Sequence, residues 1–150
     1  MAKYFEDFVV GEEFVSPGRT VTETDIVQFA GLSGDYNSIH TDEEYAKKSF
    51  FGKRVAHGLL VLSIMSGLWV RLGIFEGTVI AFYGIDKLRF TKPVFIGDTV
   101  SVKVRVKEKK ERDEKSGILT IENLVINQKN EIVLVCDALL LMSKKHSQHD

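Results

Sequence analysis

An acid and an imidazole lie five residues apart in a short polar segment that runs from Asp35 to His40. The glycine, asparagine and serine residues around them favour a turn and offer hydrogen bonds rather than continuing a helix. A carboxylate and an imidazole that titrates near neutral pH can together move protons on and off a substrate. A pair of this kind in a turn is more often a capping or loop-fixing pair. The spacing alone therefore leaves both interpretations open.

A second candidate feature begins at Ala56-His57-Gly58, which opens the most apolar run of the chain, Gly58 to Val70. The first N–H groups of a helix lack partners within the helix and carry the positive end of its dipole. A helix that begins at Gly58 can therefore hold a developing negative charge, and glycine lets a ligand approach the backbone closely. Simple tight packing explains a glycine at this position equally well.

The remaining polar candidates surround these two features. Asn37 is expected to hold the turn or a water molecule, and His57 to fix the loop before the helix. Lys53 and Arg54 follow a glycine and are candidates for contact with the phosphates of a substrate carrier, although basic residues at a surface are usually only solvated. The acids and histidines show no metal-ligand spacing, so no metal site is predicted.

The composition is that of one ordinary globular domain of 150 residues, numbered 1–150, with a net charge of −1. The near balance of charge argues against a general nucleic-acid binder. The single cysteine, Cys136, lies in an apolar run and is interpreted as a buried small hydrophobe. The acidic N-terminus does not resemble a signal peptide, and Gly58 to Val70 is shorter than the ~20 residues that span a bilayer. A cytoplasmic protein without membrane contact is therefore expected by default.

Periodicity predicts helices in the first half of the chain and strands in the second. Thr22, with Asp25 three positions later, resembles a capping box for a first helix that ends near Gly31 to Gly34. A second short helix is expected from Thr41 or Asp42 to about Ser49, and a third from Gly58 to Leu72. Alternating or continuous apolar runs predict four strands: Thr78 to Phe90, Asp98 to Glu111, Gly117 to Asn127 and Glu131 to Met142.

The third helix is apolar on nearly every face, and such a helix in a globular protein must be surrounded by other parts of the chain. A curved antiparallel sheet wrapped around a long central helix meets this need, which gives a single α+β domain. Residues 1–13 are expected to be irregular, and residues 143–150 to form a flexible tail.

Several segments together resemble the MaoC-like dehydratases, which include the (R)-specific enoyl-CoA hydratases and have the hotdog fold. The first is Phe29-Ala30-Gly31-Leu32-Ser33-Gly34-Asp35-Tyr36-Asn37-Ser38-Ile39-His40, with Ala46 six positions later. Val55-Ala56-His57-Gly58, Ser66-Gly67 and Phe90-Thr91-Lys92-Pro93-Val94-Phe95-Ile96-Gly97-Asp98 follow in the same order. The match covers roughly residues 14–142. Ser38 departs from it, because the family usually has proline there.

The resemblance implies a hydro-lyase that adds water to a 2-enoyl thioester, or removes it from a 3-hydroxyacyl thioester. It implies that Asp35 and His40 are the catalytic pair and that Gly58 donates the oxyanion hydrogen bond. Ser66 is implied to support the catalytic acid, although a serine on a buried helix usually bonds the carbonyl four residues back. His57 joins Lys53 and Arg54 as a candidate for substrate contact. The substrate carrier is CoA or acyl carrier protein, with no other cofactor.

The resemblance also implies a homodimer or larger homo-oligomer formed by joining sheets edge to edge, and Ile132 to Met142 is taken as a suitable edge strand. Two other functions remain open. A hotdog thioesterase is disfavoured because such enzymes more often use a carboxylate on the long helix, and Gly58 to Leu72 contains no acid. A non-catalytic acyl-binding subunit is disfavoured because Asp35 and His40 are both present.

Overall fold

The structure is a computed structural model of the chain and describes residues 1–145. A short 3-10 helix at Phe5–Asp7 precedes four α-helices: α1 (Glu23–Ser33), α2 (Ser38–Thr41), α3 (Glu43–Lys47) and α4 (Gly58–Arg71). The strands are β1 (Glu13–Val15), β2 (Arg19–Thr20), β3 (Val79–Phe90), β4 (Thr99–Glu111), β5 (Ser116–Ile126) and β6 (Ile132–Ser143). The N-terminal segment predicted to be irregular thus contains one helical turn, which buries Phe5 beside Phe8. The predicted flexible tail lies outside the described residues from position 146 onward.

One antiparallel sheet has the strand order β1-β4-β5-β6-β3, and β2 pairs separately with β4. The alternation predicted along β4 is present, because its even positions from Val100 to Val106 are fully buried. These side chains and the inward residues of β5 and β6 form the core against α4. Each large apolar side chain buried there stabilises the fold by about 1.5–3 kcal/mol.

Strand β6 is an interior strand, so the prediction that Ile132 to Met142 forms a sheet edge is wrong. It pairs with β5 on one side and with β3 on the other. The long exposed edge belongs to β3, which follows α4 in the chain and, within residues 1–145, pairs with β6 alone. The apolar run of β6 reflects burial between two neighbours rather than an unpaired edge.

Helix α4 is not enclosed on every side, which also differs from the prediction. One face packs on the sheet through Leu60, Ile64 and Leu68. The opposite face leaves Leu59 58% exposed and Val70 60% exposed. Within residues 1–145, no helix has the length and apolar character needed to cross a bilayer.

Candidate active site

Helix α1 ends directly before the polar turn. The capping box predicted at its start is present, because Thr22 Oγ1 accepts from the Asp25 N–H and Asp25 Oδ2 accepts from the Thr22 N–H. At its end, Gly34 adopts a left-handed conformation with φ of 78°, and its N–H donates to the Ala30 carbonyl at 2.8 Å. Glycine takes this conformation without strain and turns the chain sharply into Asp35.

The carboxylate of Asp35 lies at the exposed side of the turn. Its backbone N–H donates to Ser33 Oγ at 3.1 Å, and its Oδ1 accepts from the Asn37 N–H at 3.2 Å. Asn37 also caps the next helix, because its Oδ1 accepts from the Ile39 N–H at 3.2 Å. Asn37 thus takes part in the hydrogen bonds that hold the turn, and its expected contact with a water molecule stays a prediction.

His40 lies on α2 rather than in an open turn, because Asn37 starts a four-residue helix that the sequence did not predict. The second predicted helix is correspondingly shorter and begins at Glu43 after its N-cap, Asp42. The His40 ring is only 7% exposed, and its Nδ1–H donates to the Val55 carbonyl at 2.6 Å. In the neutral ring this hydrogen bond leaves the lone pair on Nε2, which is the tautomer that a general base needs.

The surroundings of His40 favour its neutral form. Burial is the main cause that lowers the pKa of His40 below its ordinary value of 6.5, and the nearby His57 lowers it further. The hydrogen bond to the Val55 carbonyl and the negative charge of Asp35 act in the opposite direction. A neutral imidazole near pH 7 can accept a proton from water.

Backbone hydrogen bonds join the segment just before α4 to α2 and to the loop that follows β3. The Val55 N–H donates to the Ile39 carbonyl at 3.2 Å, and the Ala56 N–H donates to the Val94 carbonyl at 2.8 Å. Gly58 follows as the first residue of the helix. A Cβ at this position would lie 3.0 Å from the Phe90 ring, so close packing by itself already favours a glycine here. Its role as an oxyanion donor stays a prediction.

A cleft of about 320 Å³ joins these elements. His40 and Gly58 both line it, and Asp35 lies beside it at the protein surface. The remaining lining is largely apolar and comprises Ile39, Phe51, Val55, Ala56, Val61, Phe90, Thr91, Lys92, Pro93, Val94 and Val133. An imidazole and a helix N-terminus therefore share an apolar cleft of the size that holds small ligands.

Asp35, His40 and His57 form the group of side chains, among those described, whose potential ligand atoms lie close enough to hold a metal ion, within 4.8 Å of one another. Two of the ring nitrogens are already bonded to backbone carbonyls, Nδ1 of His40 and Nε2 of His57. Nδ1 of His57 is buried. The set therefore offers few free, accessible ligand atoms. The absence of a metal in the reaction stays a prediction.

Ser66 and Arg54, two of the predicted site residues, do not line the main cleft. Ser66 Oγ donates to the Ser63 carbonyl at 2.7 Å, one residue nearer than expected, and lines a separate apolar cavity beside β3. Arg54 is bound by two carboxylates, Glu23 at 2.5 Å and Glu43 at 2.6 Å, which already balance its charge. The structure thus does not support the predicted contact of Arg54 with a substrate carrier, because its charge is already paired.

Lys53 and His57 have opposite surroundings. The Lys53 ammonium lies 4.3 Å from the centre of the Phe95 ring, at a polar cleft that also contains Lys92 and Lys129. His57 is 2% exposed and does not line the main cleft, so the prediction that it contacts substrate is not supported.

Sequence reasoning assigned no role to Phe90, although the motif that begins there had been noticed. Its ring packs directly on Gly58 and lines the cleft. Phe90 lies at the end of a strand and Gly58 at the start of a helix, and only the folded structure brings these two positions into contact. The sequence alone therefore offered no clear sign of this contact.

The chain matches the family model described as a MaoC-like domain over residues 7–128. An (R)-specific enoyl-CoA hydratase from Rhodospirillum rubrum is 42% identical over 103 residues, which are 69% of this chain and 69% of that protein. The protein named MaoC from Klebsiella aerogenes is 45% identical over 114 residues, 76% of this chain. The match spans only 33% of the Klebsiella protein's length.

Among solved structures, a monoamine oxidase regulatory protein from Archaeoglobus fulgidus has a TM-score of 0.89 and 47% sequence identity, with 96% of each chain covered. A Mycobacterium tuberculosis protein described as a double hotdog fold has a TM-score of 0.86 at 18% identity, covering 99% of this chain and 46% of that one. The second likeness concerns the fold alone, and it agrees with the predicted hotdog architecture. By its fold and by the extent of its family match, this chain belongs to the MaoC-like dehydratase family.

Proposed function

We propose that the protein is a hydro-lyase that adds water to a 2-enoyl thioester, or removes it from a 3-hydroxyacyl thioester. The observation that carries the proposal is the arrangement at one apolar cleft of the His40 imidazole, the Asp35 carboxylate beside it and the helix N-terminus at Gly58. The similarity to the Rhodospirillum hydratase supports the same class of reaction and suggests (R)-stereochemistry.

In the proposed mechanism, a water molecule is held between His40 and Asp35. Its oxygen bonds to the β-carbon while Nε2 of His40 takes one proton, and the carbon–carbon π electrons move toward the thioester oxygen. The Gly58 N–H and the α4 dipole stabilise that oxygen as it becomes an enolate. The imidazolium then returns the proton to the α-carbon, and Asp35 stabilises its positive charge. Water addition changes no net oxidation state, so the proposal includes no redox cofactor.

The cleft favours a short acyl chain as the first substrate to test. Its volume of about 320 Å³ lies at the lower end of the range for ligand pockets. The Phe90 ring packed on Gly58 narrows the space over the helix start. The carrier is CoA or acyl carrier protein, and Lys53 is the remaining basic candidate for its phosphate, since Arg54 is already paired with two acids.

The direct test follows crotonyl-CoA by two signals in parallel, the loss of enoyl absorbance and the release of free thiol. We expect absorbance loss without thiol release, and (R)-3-hydroxybutyryl-CoA as the product on chiral analysis. Thiol release would instead identify a thioesterase. No change with crotonyl-CoA or with a series of longer enoyl thioesters, together with measurable binding of those thioesters, would replace the proposal with a non-catalytic binding role.

We further propose that the working form is a homodimer joined through β3. Its edge is unpaired and carries exposed apolar side chains, among them Ile80 at 52%, Phe82 at 46% and Tyr83 at 61% exposed. The exposed face of α4, with Leu59 and Val70, adds further apolar surface. A long apolar edge is a template for pairing with another strand, and the matching strand of a second copy pairs with it by symmetry.

The oligomeric state tests this interface. We expect the wild-type protein to sediment as a dimer and Tyr83→Lys to shift it toward monomer, because a charge at the edge opposes strand pairing. Val27→Lys is the matched control, since Val27 is an exposed apolar residue on α1, 55% accessible. A monomeric wild-type protein, or a dimer that Tyr83→Lys leaves intact, would contradict this interface.

A further inference from the structure

His57 occupies the N-cap position of α4 but does not cap the helix. Its side chain makes no hydrogen bond to the first turn, and its ring is 2% exposed. An N-cap side chain ordinarily accepts a hydrogen bond from the helix backbone, for which serine, threonine, aspartate and asparagine are preferred. Because His57 does not cap the helix, the presence of an imidazole at this position must be explained by its other contacts.

The first contact joins His57 to the backbone of the polar turn. Its Nε2 lies 2.9 Å from the carbonyl oxygen of Asp35, 22 positions earlier in the chain. A carbonyl oxygen only accepts, so Nε2 carries the hydrogen and donates. This bond ties the position of the catalytic carboxylate to the residue that precedes Gly58.

The second contact joins His57 to the catalytic imidazole. The rings of His57 and His40 are stacked with their centres 3.8 Å apart and their planes inclined by 26°. The His57 ring also contacts Phe29 of α1, with centres 4.9 Å apart. His40 is therefore held by its Nδ1 bond to Val55 on one atom and by the His57 ring across its face.

The remaining nitrogen of His57 has no hydrogen-bond partner within the described residues, although it is buried. Burying a polar atom without a partner lowers stability. A phenylalanine would fill the same space and stack on the same ring without that cost. The imidazole is therefore better explained by what its Nε2–H does for Asp35 than by packing.

We propose that His57 is a positioning residue that holds Asp35 and His40 in one fixed arrangement with the Gly58 N–H. The inference rests on the proposed hydration reaction, because it assigns His57 a task in that reaction. His57 is 2% exposed and does not line the main cleft. It acts through the Asp35 backbone and the His40 ring, and it links both to the first residue of α4.

The effect of replacing His57 can be measured as a change in the pKa of the neighbouring His40. His40 on α2 and the Asp35 carboxylate in the turn are the titratable neighbours, whereas Phe29 on α1 is uncharged and the first turn of α4 holds no acid. His57 contributes to the lowered pKa of His40. Replacing His57 by phenylalanine or glutamine removes this contribution, so the pKa of His40 should rise, an effect that a side chain which only fills space would not produce.

The test compares His57→Phe, which keeps the stacked ring and loses the donor, with His57→Gln, which keeps a donor and loses the ring. Phe29→Leu is the packing control, because it alters the surroundings of His57 without removing either contact. We expect His57→Phe to lower kcat by about 10²-fold, the usual effect of small misplacement of reacting groups. KM should change little, and the acid limb of kcat/KM should move to higher pH. His57→Gln should recover part of kcat, and Phe29→Leu should resemble the wild type.

A second measurement separates this inference from the proposed reaction. The His40 ring protons are titrated by NMR in the wild type and in each variant, with assignments from His40→Ala, so the readout needs no catalysis. A higher His40 pKa in His57→Phe supports the contact even if crotonyl-CoA proves not to be a substrate. An unchanged His40 pKa, or an unchanged kcat in a folded His57→Phe on an active background, would overturn the proposal. If His57→Phe does not fold, His57→Gln decides by the same titration and kinetics.

Discussion

Two polar clusters lie against α4, one at the candidate site and one against the sheet. The site cluster consists of Asp35, His40 and His57 near the start of the helix. The sheet cluster lies near its other end, where Trp69 Nε1 donates to Asn123 Oδ1 at 2.7 Å and Asn123 Nδ2 donates to the Ile121 carbonyl at 3.1 Å. Both clusters connect α4 to another part of the chain.

The clusters differ in what their polar atoms are free to do. In the sheet cluster the oxygen and the nitrogen of the Asn123 side-chain amide both make hydrogen bonds, so the amide links α4 to β5. In the site cluster the two imidazoles are held by backbone carbonyls, His40 by that of Val55 and His57 by that of Asp35. Nε2 of His40 is therefore left available to accept a proton. In a structural cluster the polar groups form hydrogen bonds with one another. In a reactive cluster other groups hold the side chains in place, and the atoms that take part in proton transfer stay without hydrogen bonds.

The largest expected effect separates activity from stability in the site cluster. His40→Ala should reduce turnover by ~10²–10⁴-fold, the usual contribution of a general acid or base. Asp35→Asn should reduce turnover by a similar factor, ~10²–10⁴-fold, because the side chain no longer holds the water or stabilises the imidazolium. Asp35→Asn should change the thermal unfolding midpoint little, because the carboxylate is exposed. His40→Ala should lower the midpoint, because the Val55 carbonyl loses its donor, but the variant should stay folded. The assay is crotonyl-CoA hydration with thermal unfolding in parallel. Glu44→Gln, at an exposed acid on α3, is the control. A folded variant with near wild-type turnover would refute the assigned roles.

The opposite result is expected in the sheet cluster. Trp69→Phe should lower the free energy of unfolding by about 1–3 kcal/mol, because it leaves the buried Asn123 oxygen without a donor. Turnover per folded molecule should be retained. Chemical denaturation measures the first quantity, and the double variant Trp69→Phe with Asn123→Leu sharpens it. That variant should be less destabilised than the sum of the two single changes, because their partners are in contact. Simple additivity would mean that the hydrogen bond contributes nothing.

A smaller effect is expected in the pH dependence of the site cluster. His40 must be neutral to take a proton from water, and burial lowers its pKa below 6.5. Because the neutral form then persists to lower pH, the acid limb of kcat/KM should lie below 6.5. Asp35 raises the pKa of His40, so residual activity in Asp35→Asn should persist to still lower pH. A wild-type acid limb above 6.5 would contradict the assignment of His40 as the base.

The smallest expected effect concerns Cys136, on the sheet side of α4. Burial raises the pKa of its thiol to about 11, and its Sγ lies 3.8 Å from the sulfur of Met65. A thiolate is the reactive form, so the thiol should resist alkylation at pH 8 in the folded protein and react after unfolding. Mass spectrometry with iodoacetamide checks this. Rapid labelling of the folded protein would show that this part of the core opens readily.

Local interactions explain the parts of the structure that sequence reasoning predicted correctly. The capping box at Thr22 and Asp25 involves neighbours in the chain, and the alternation along β4 follows from the two-residue period of a strand. The resemblance to a family added the roles assigned to Asp35 and His40 as a catalytic pair and to Gly58 as an oxyanion donor. These features require little knowledge of which elements pack together.

The features that were missed depend on packing between distant segments. The apolar run of β6 is compatible with an edge or an interior strand, and only the pairing with both β5 and β3 distinguishes them. Arg54 is as basic in the sequence as Lys53, yet α1 and α3 each bring a glutamate to it. Composition cannot show which surface charges are already paired.

The sequence by itself determined the two longer helices, the four long strands, the α+β class and the acid and imidazole at the polar turn, because these follow from residue type and short spacing. Only the tertiary structure decided which atoms of that pair are free. His57 reaches Asp35 across 22 positions and stacks on His40 because α1, α2 and α4 converge there. The tautomer of His40 is likewise selected by a carbonyl 15 residues away, at Val55. Such contacts depend on how elements pack in space, which the order of residues along the chain does not display.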